Sequence, residues 1–240
     1  MPTSSERRVA SRASLKNRPF LLDAPVEAGD DAEPARVRRL AGLGGPGGLA
    51  FEMQGRPIDR ERVERAAADL LDALGVDRGA DGLVATTARA CSAYAELLTP
   101  TPIEATTFDN DEGYDELVVV SHFPFVSLCE HHLLPFSGVA HVGYLPGARL
   151  IGLSKLARVV EHFARRLQLQ ERLTIQVASW LGSNLAPRGV GVVLEAEHAC
   201  MSLRGVRAVG AKTVTSAMSG LVRDDQRTRA EFLALAGRPR

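Results

Sequence analysis

Cys129, Glu130, His131 and His132 stand in a row in this 240-residue chain, and His198-Ala199-Cys200 follows downstream. Thiolate sulfur and imidazole nitrogen are the donors that Zn²⁺ prefers, and Cys129, His132 and Cys200 supply three of them. Four protein ligands close a structural zinc site, whereas three leave a position for water and for hydrolytic chemistry near neutral pH. A C-x-x-H pair alone recurs by chance, and a lone cysteine is commonly a small buried hydrophobe. Here two of the three cysteines and three of the six histidines fall in the two clusters, which favours metal over packing. His131 and His198 are then left beside the metal, with a side chain suited to carrying protons. On a strand, His198 shares a face with Cys200. For His131, a hydrogen-bonding role behind the ligands is a serious rival.

Ser154-Lys155-Leu156-Ala157-Arg158 has the form of a helix start with two cations on one side, a seat for phosphate. Arg204 can bring another guanidinium to the same mouth. On these residues alone a solvated basic face fits equally well. Glu171 reads first as a helix-start carboxylate favoured by the dipole, although a carboxylate can also accept two N–H bonds from a guanine edge. Cys91, His122, His141 and His162 have no partner motif and read as structural.

The elements that must position these groups are legible in outline. A helix is expected from Asp59, with Val63, Ala66, Leu70, Leu71 and Leu74 on one face and Gly75 ending it. A second covers Thr87 to Leu98. Leu117 to Val120 and Val139 to Tyr144 read as strands. Ser154 is expected to N-cap a helix whose apolar face is Leu156, Val159, Val160, Phe163 and Leu167. Another helix runs from Glu171 to Leu185. Val190, Val192, Leu194, Ala196, His198 and Cys200 fall at period two, the signature of one strand face. A strand over Lys212 to Ser216 and a helix over Thr228 to Ala236 close an α+β pattern. Residues 1–57 lack this periodicity and read as a disordered arm. Residues 58–112 read as an N-terminal helical region and 113–240 as the domain that carries the candidate catalytic residues.

Lys plus Arg and Asp plus Glu balance at 29 each, so no global field argues for nucleic acid or membrane. No apolar run approaches the ~20 residues that span a bilayer. An odd cysteine count argues against a disulfide framework, and a reducing cytoplasm is expected.

Several ordered blocks resemble the GTP cyclohydrolase I family. They are 127–136 around Cys129-Glu130-His131-His132, Gly152-Leu153-Ser154-Lys155-Leu156-Ala157-Arg158, 168–174 around Gln170-Glu171, 195–201 around His198 and Cys200, Arg204-Gly205-Val206 and Arg229-Ala230-Glu231-Phe232-Leu233. The resemblance implies a tunnelling fold: an antiparallel sheet with two helices inserted between strand pairs, preceded by N-terminal helices, its sheets joined into a barrel across subunits. It implies a homo-oligomer, commonly a decamer of two pentamers. The implied reaction takes GTP and water to 7,8-dihydroneopterin triphosphate and formate, the first step of tetrahydrofolate and pterin synthesis. Zinc on Cys129, His132 and Cys200, proton transfer by His198 assisted by His131, and guanine recognition by Glu171 and Gln170 are implied with it. So are Lys155, Arg158 and Arg204 on the triphosphate and Ser154 by the ribose.

One stretch departs from the family pattern. The helix that usually begins Asp-Thr-Pro and carries two basic residues reads Ala85-Thr86-Thr87-Ala88-Arg89-Ala90-Cys91-Ser92. Arg89 matches the first basic position and Ser92 replaces the second, which predicts a weaker grip on the triphosphate. It also admits a second reading, a weakened paralogue that binds nucleotide or a partner in regulation or in a specialised deazapurine pathway.

Overall fold

The computed structural model describes residues 57–237, and its main strands run further than the apolar pattern indicates. β1 (Thr107–Asp109) and β4 (Arg149–Ile151) form a small antiparallel pair. β2 (Val118–Cys129), β3 (Pro135–Leu145), β5 (Leu167–Gln168), β6 (Gly189–His198) and β7 (Thr213–Gly220) form a sheet in the order β5-β2-β3-β6-β7. All its pairings are antiparallel except that of β2 with β5. The arm read over residues 1–57 lies, but for Pro57, outside the described residues.

β2 extends nine residues past the expected Val120, through Pro124. Pro124 is tolerated because β5 pairs with β2 only at Leu128 and Cys129, so its missing N–H falls on an unpaired edge. A bulge after Val120, with His122 at φ +60°, bends the strand and sets the His122 ring edge-on to His141 at 4.6 Å. β6 ends at His198. The expectation that Cys200 continues that strand is therefore corrected: Cys200 lies in α5 (Ala199–Ser202), a single turn.

α3 (Leu153–Ala164) and α4 (Gln170–Leu185) are the helices inserted between strand pairs. Leu156, Val159, Val160 and Phe163 of α3 and Leu173, Val177 and Leu181 of α4 pack with Phe136, Val142, Tyr144, Val192 and Leu194 of the sheet. Ser154 does not cap α3. Gly152 occupies the N-cap with no side-chain bond, and Ser154 lies exposed in the first turn. α4 ends on Ala186 in the left-handed region (φ +48°), followed by Pro187.

A second core holds α6 (Leu221–Asp224) and α7 (Gln226–Leu235) to the sheet through Leu117, Leu145, Val193, Met218, Val222 and Phe232. Phe232 is fully buried over two cross-strand paired glycines, Gly143 and Gly191. A methyl group on Gly191 would meet the ring at 2.6 Å. Phe232→Ala is expected to cost about 3–5 kcal/mol, read as a lower denaturant midpoint.

α1 (Arg60–Ala73) starts at the N-cap Asp59, which accepts from the Arg62 N–H, and pairs with α2 (Thr86–Leu97). Its apolar face is not covered by the described residues: Leu70 is 60% and Leu74 67% exposed. Two contacts tie the end of α2 and the segment after it to α3 and its C-cap. Arg165 donates to Glu96 O, and His162 Nδ1 lies 2.7 Å from Thr101 O, which can only accept. Burial, above all, holds the His162 pKa below the usual imidazole value, with the Arg166 charge adding to this and the Thr101 bond opposing it. Above about pH 6.5 both folded and unfolded chains keep it neutral; as the pH falls below that, the unfolded chain binds the proton first and stability is lost. The thermal midpoint should therefore drop more between about pH 7.5 and 5.5 in the parent protein than in His162→Asn, whose amide nitrogen takes the place of Nδ1 and can still donate to Thr101. No described helix is long and apolar enough to cross a membrane.

Candidate metal and catalytic site

Cys129 is the last residue of β2, and the chain turns tightly after it. The Leu133 N–H donates to Cys129 O (2.9 Å), the Cys129 N–H to Leu134 O (2.9 Å), and Leu133 itself sits at φ +55°. This turn lifts His131 and His132 to the surface while Cys129 stays buried. Arg172 braces it from the first turn of α4 with two hydrogen bonds, 2.6 and 3.0 Å, to the Glu130 carboxylate. That bonding holds the Glu130 carboxyl below its ordinary pKa.

The donor atoms of Cys129, His131 and His132 all lie within 4.8 Å of one another. Cys129 Sγ and His132 Nδ1 are 3.6 Å apart. A sulfur at about 2.3 Å and a nitrogen at about 2.1 Å from one tetrahedral zinc are separated by roughly 3.6 Å, so this pair fits the ion without moving. The half-buried Cys200 thiol is close enough to Cys129 for the two sulfurs to interact. Burial first, and then Cys129, push the Cys200 thiol above its usual range, while Arg204 acts in the opposite sense. A cation among these sulfurs would reverse that balance. The structure thus brings together both cysteines and both histidines of the turn, with His131 rather than Cys200 completing the tightest set of donors.

His198 ends β6 opposite Phe136 of β3. The two rings stack in parallel, centroids 4.6 Å apart. Burial lowers the His198 pKa, and the charge of Glu171 works against this. Glu171 is exposed in the first turn of α4, the position its dipole favours. Gln170 is placed differently: it is 1% exposed, and its amide bonds Leu194 O, Thr213 O, Thr215 Oγ1 and His198 Nε2. It lies behind the site, enclosed by β6 and β7.

Ser154, Lys155 and Arg158 occupy the first two turns of α3. Among the described residues, no ion pair engages Lys155, Arg158 or Arg204. Arg89 is held locally, its Nη2 donating to Gly82 O and Thr86 Oγ1, and Ser92 is exposed one turn on. Motif reasoning passed over three contributors: Phe136, Thr215 and the Glu130–Arg172 pair. Each acts through a partner distant in the chain, so no local spacing marks it.

The GTP cyclohydrolase I family model matches residues 63–237. The GTP cyclohydrolase 1 of Thermobifida fusca is 51% identical over 183 residues, 74% of this chain and 88% of that protein. The GTP cyclohydrolase 1 of Mycobacterium tuberculosis is 50% identical over 187 residues, 75% and 92% of the two chains. That of Thermoanaerobacter pseudethanolicus is 47% identical over 183 residues, 74% and 97%. Among solved structures, the archaeosine synthase QueF-Like in its apo form covers 44% of this chain at 19% identity and a TM-score of 0.36, a partial likeness only. With the Cys129–His132 turn, His198 and Glu171 on the matched segment, the chain belongs to the GTP cyclohydrolase I family.

Proposed function

We propose that the protein is a zinc-dependent GTP cyclohydrolase I, taking GTP and water to 7,8-dihydroneopterin triphosphate and formate at the head of tetrahydrofolate and pterin synthesis. The observation that carries this reading is the meeting of thiols and imidazoles at the Cys129–His132 turn, in a chain about half identical to enzymes named for that activity. Cys129, His132 and Cys200 would hold the metal, with His131 within reach of it. When bound, zinc supplies a Lewis acid that lowers the pKa of water and so provides a nucleophile near neutral pH.

The protein's own groups do the rest. His198, planar on Phe136, moves the proton to and from the purine ring, and His131 assists it from the surface of the turn. Glu171 accepts the N–H groups of the guanine edge. Lys155, Arg158 and Arg204 receive the triphosphate, and Ser154 lies by the ribose. Arg89 contributes from α2, and with Ser92 in place of a second cation the expected cost is a raised KM for GTP with little change in kcat.

The open edge of β7 and the exposed Leu70, Leu74, Val206 and Val209 support a homo-oligomer in which sheets continue from subunit to subunit into a barrel. A decamer of two pentamers is the assembly we propose, in a cytoplasmic setting. The division into a helical region over 58–112 and a catalytic domain over 113–240 belongs to the same reading.

The decisive experiment incubates the purified zinc-loaded protein with GTP and follows formate and oxidised, fluorescent neopterin together. Both products in equal amounts are expected. Formation of neither, with zinc bound, would overturn the assignment.

A further inference from the structure

The bonds around Gln170 have a direction that settles more than its burial. Its side-chain Nε2 lies 3.2 Å from Leu194 O, 3.0 Å from Thr213 O and 3.2 Å from Thr215 Oγ1. The two carbonyls can only accept. The Thr215 hydroxyl accepts as well. Thr174 spends its own proton on Gln170 O at 2.7 Å, so the 2.6 Å bond between Thr174 and Thr215 must use the Thr215 proton. Three acceptors therefore fix which end of the Gln170 amide is nitrogen.

The amide oxygen is left facing His198 Nε2 at 2.8 Å. An amide oxygen cannot donate, so Nε2 carries a hydrogen. A neutral imidazole has one N–H, and Nδ1 is therefore bare. The parallel stack on Phe136, with an interplanar angle of 1°, sets the plane of the ring, and the bond to Gln170 sets its rotation within that plane.

We infer that Gln170 is a positioning residue: together with Phe136 it fixes the orientation of the His198 ring and holds it as the Nε2–H tautomer, leaving Nδ1 as its acceptor nitrogen. This differs from the guanine contact that the resemblance assigns to Gln170. Gln170 in turn is set by Leu194 of β6 and by Thr213 and Thr215 of β7, so the sheet determines which nitrogen is available.

The kinetic arm of the test rests on the GTP cyclohydrolase reading, and the spectroscopic arm does not. Solid-state NMR of ¹⁵N-histidine-labelled, zinc-loaded protein, with His198 assigned by its loss in His198→Gln, should show Nε2 protonated and Nδ1 bare. A proton on Nδ1, or an even mixture of tautomers, overturns the proposal whether or not GTP is turned over. In kinetics, Gln170→Leu should lower kcat by about 10²-fold or more with KM for GTP within about threefold of the parent. A Gln170→Leu protein whose KM rises while kcat holds would instead place Gln170 on the substrate, and the proposal fails.

Discussion

Cys129→Ser protein should purify without stoichiometric zinc and turn over GTP at least about 10³-fold more slowly than the parent. Loss of several kcal/mol of metal stabilisation corresponds to that factor, since each ~1.4 kcal/mol is tenfold. The expectation follows from position as well as chemistry. Cys129 is buried at the end of β2, where main-chain bonds to Leu133 and Leu134 shape the turn whatever the side chain. Serine therefore leaves the fold in place and removes only the soft ligand 3.6 Å from His132 Nδ1. Zinc content by elemental analysis, formate release and far-UV circular dichroism separate the outcomes. A folded, zinc-free variant with full turnover would remove the metal from the proposed function.

His198→Gln should keep its zinc and lower kcat by about 10²–10⁴-fold, with KM for GTP little changed. His198 is not among the proposed ligands, so metal content is the control that distinguishes this variant from Cys129→Ser. Glutamine reaches the place of Nε2 and can still donate to Gln170 Oε1, which spares the network behind it, but it has no titrating nitrogen and no ring to lie on Phe136. A fall in zinc content of the same size as the fall in rate would instead make His198 a ligand or a support of one. A variant with near-parent kcat would remove it from proton transfer.

The inserted helices were legible because their apolar faces repeat at helical spacing over three turns or more. α4 lies within a residue of where Glu171–Leu185 indicates, and α3 carries the expected face from Leu156 to Phe163 but ends at Ala164; Leu167, read as part of that face, lies exposed in β5. The strands were only partly legible. Beyond Val120, Ser121, His122 and Pro124 break the β pattern, and they are accommodated by a bulge and an unpaired edge that exist only once neighbouring strands are in place. The expected strand through Cys200 failed for the opposite reason. Alternation of residue types continued past His198, but pairing with β3 stops there and the chain turns. Ser154 has the composition of a cap, yet Gly152 begins the helix, because the backbone arriving from β4 sets where the first turn closes.

By itself the sequence determined the donor chemistry: which side chains can bind a soft metal, carry a proton or receive a phosphate is a property of residue type. It also determined the span of α4 and most of the core face of α3, since helical periodicity is a local matter. Only the tertiary structure decided how those groups are presented. Gln170 carries no mark that separates it from the neighbouring Glu171, yet one side chain is enclosed and the other exposed. The bonds that orient Gln170 come from Leu194, Thr213 and Thr215, which are 24, 43 and 45 residues away. Hydrogen-bond direction depends on what every partner has already donated, so the choice of Nδ1 over Nε2 in His198 is made by the assembled sheet.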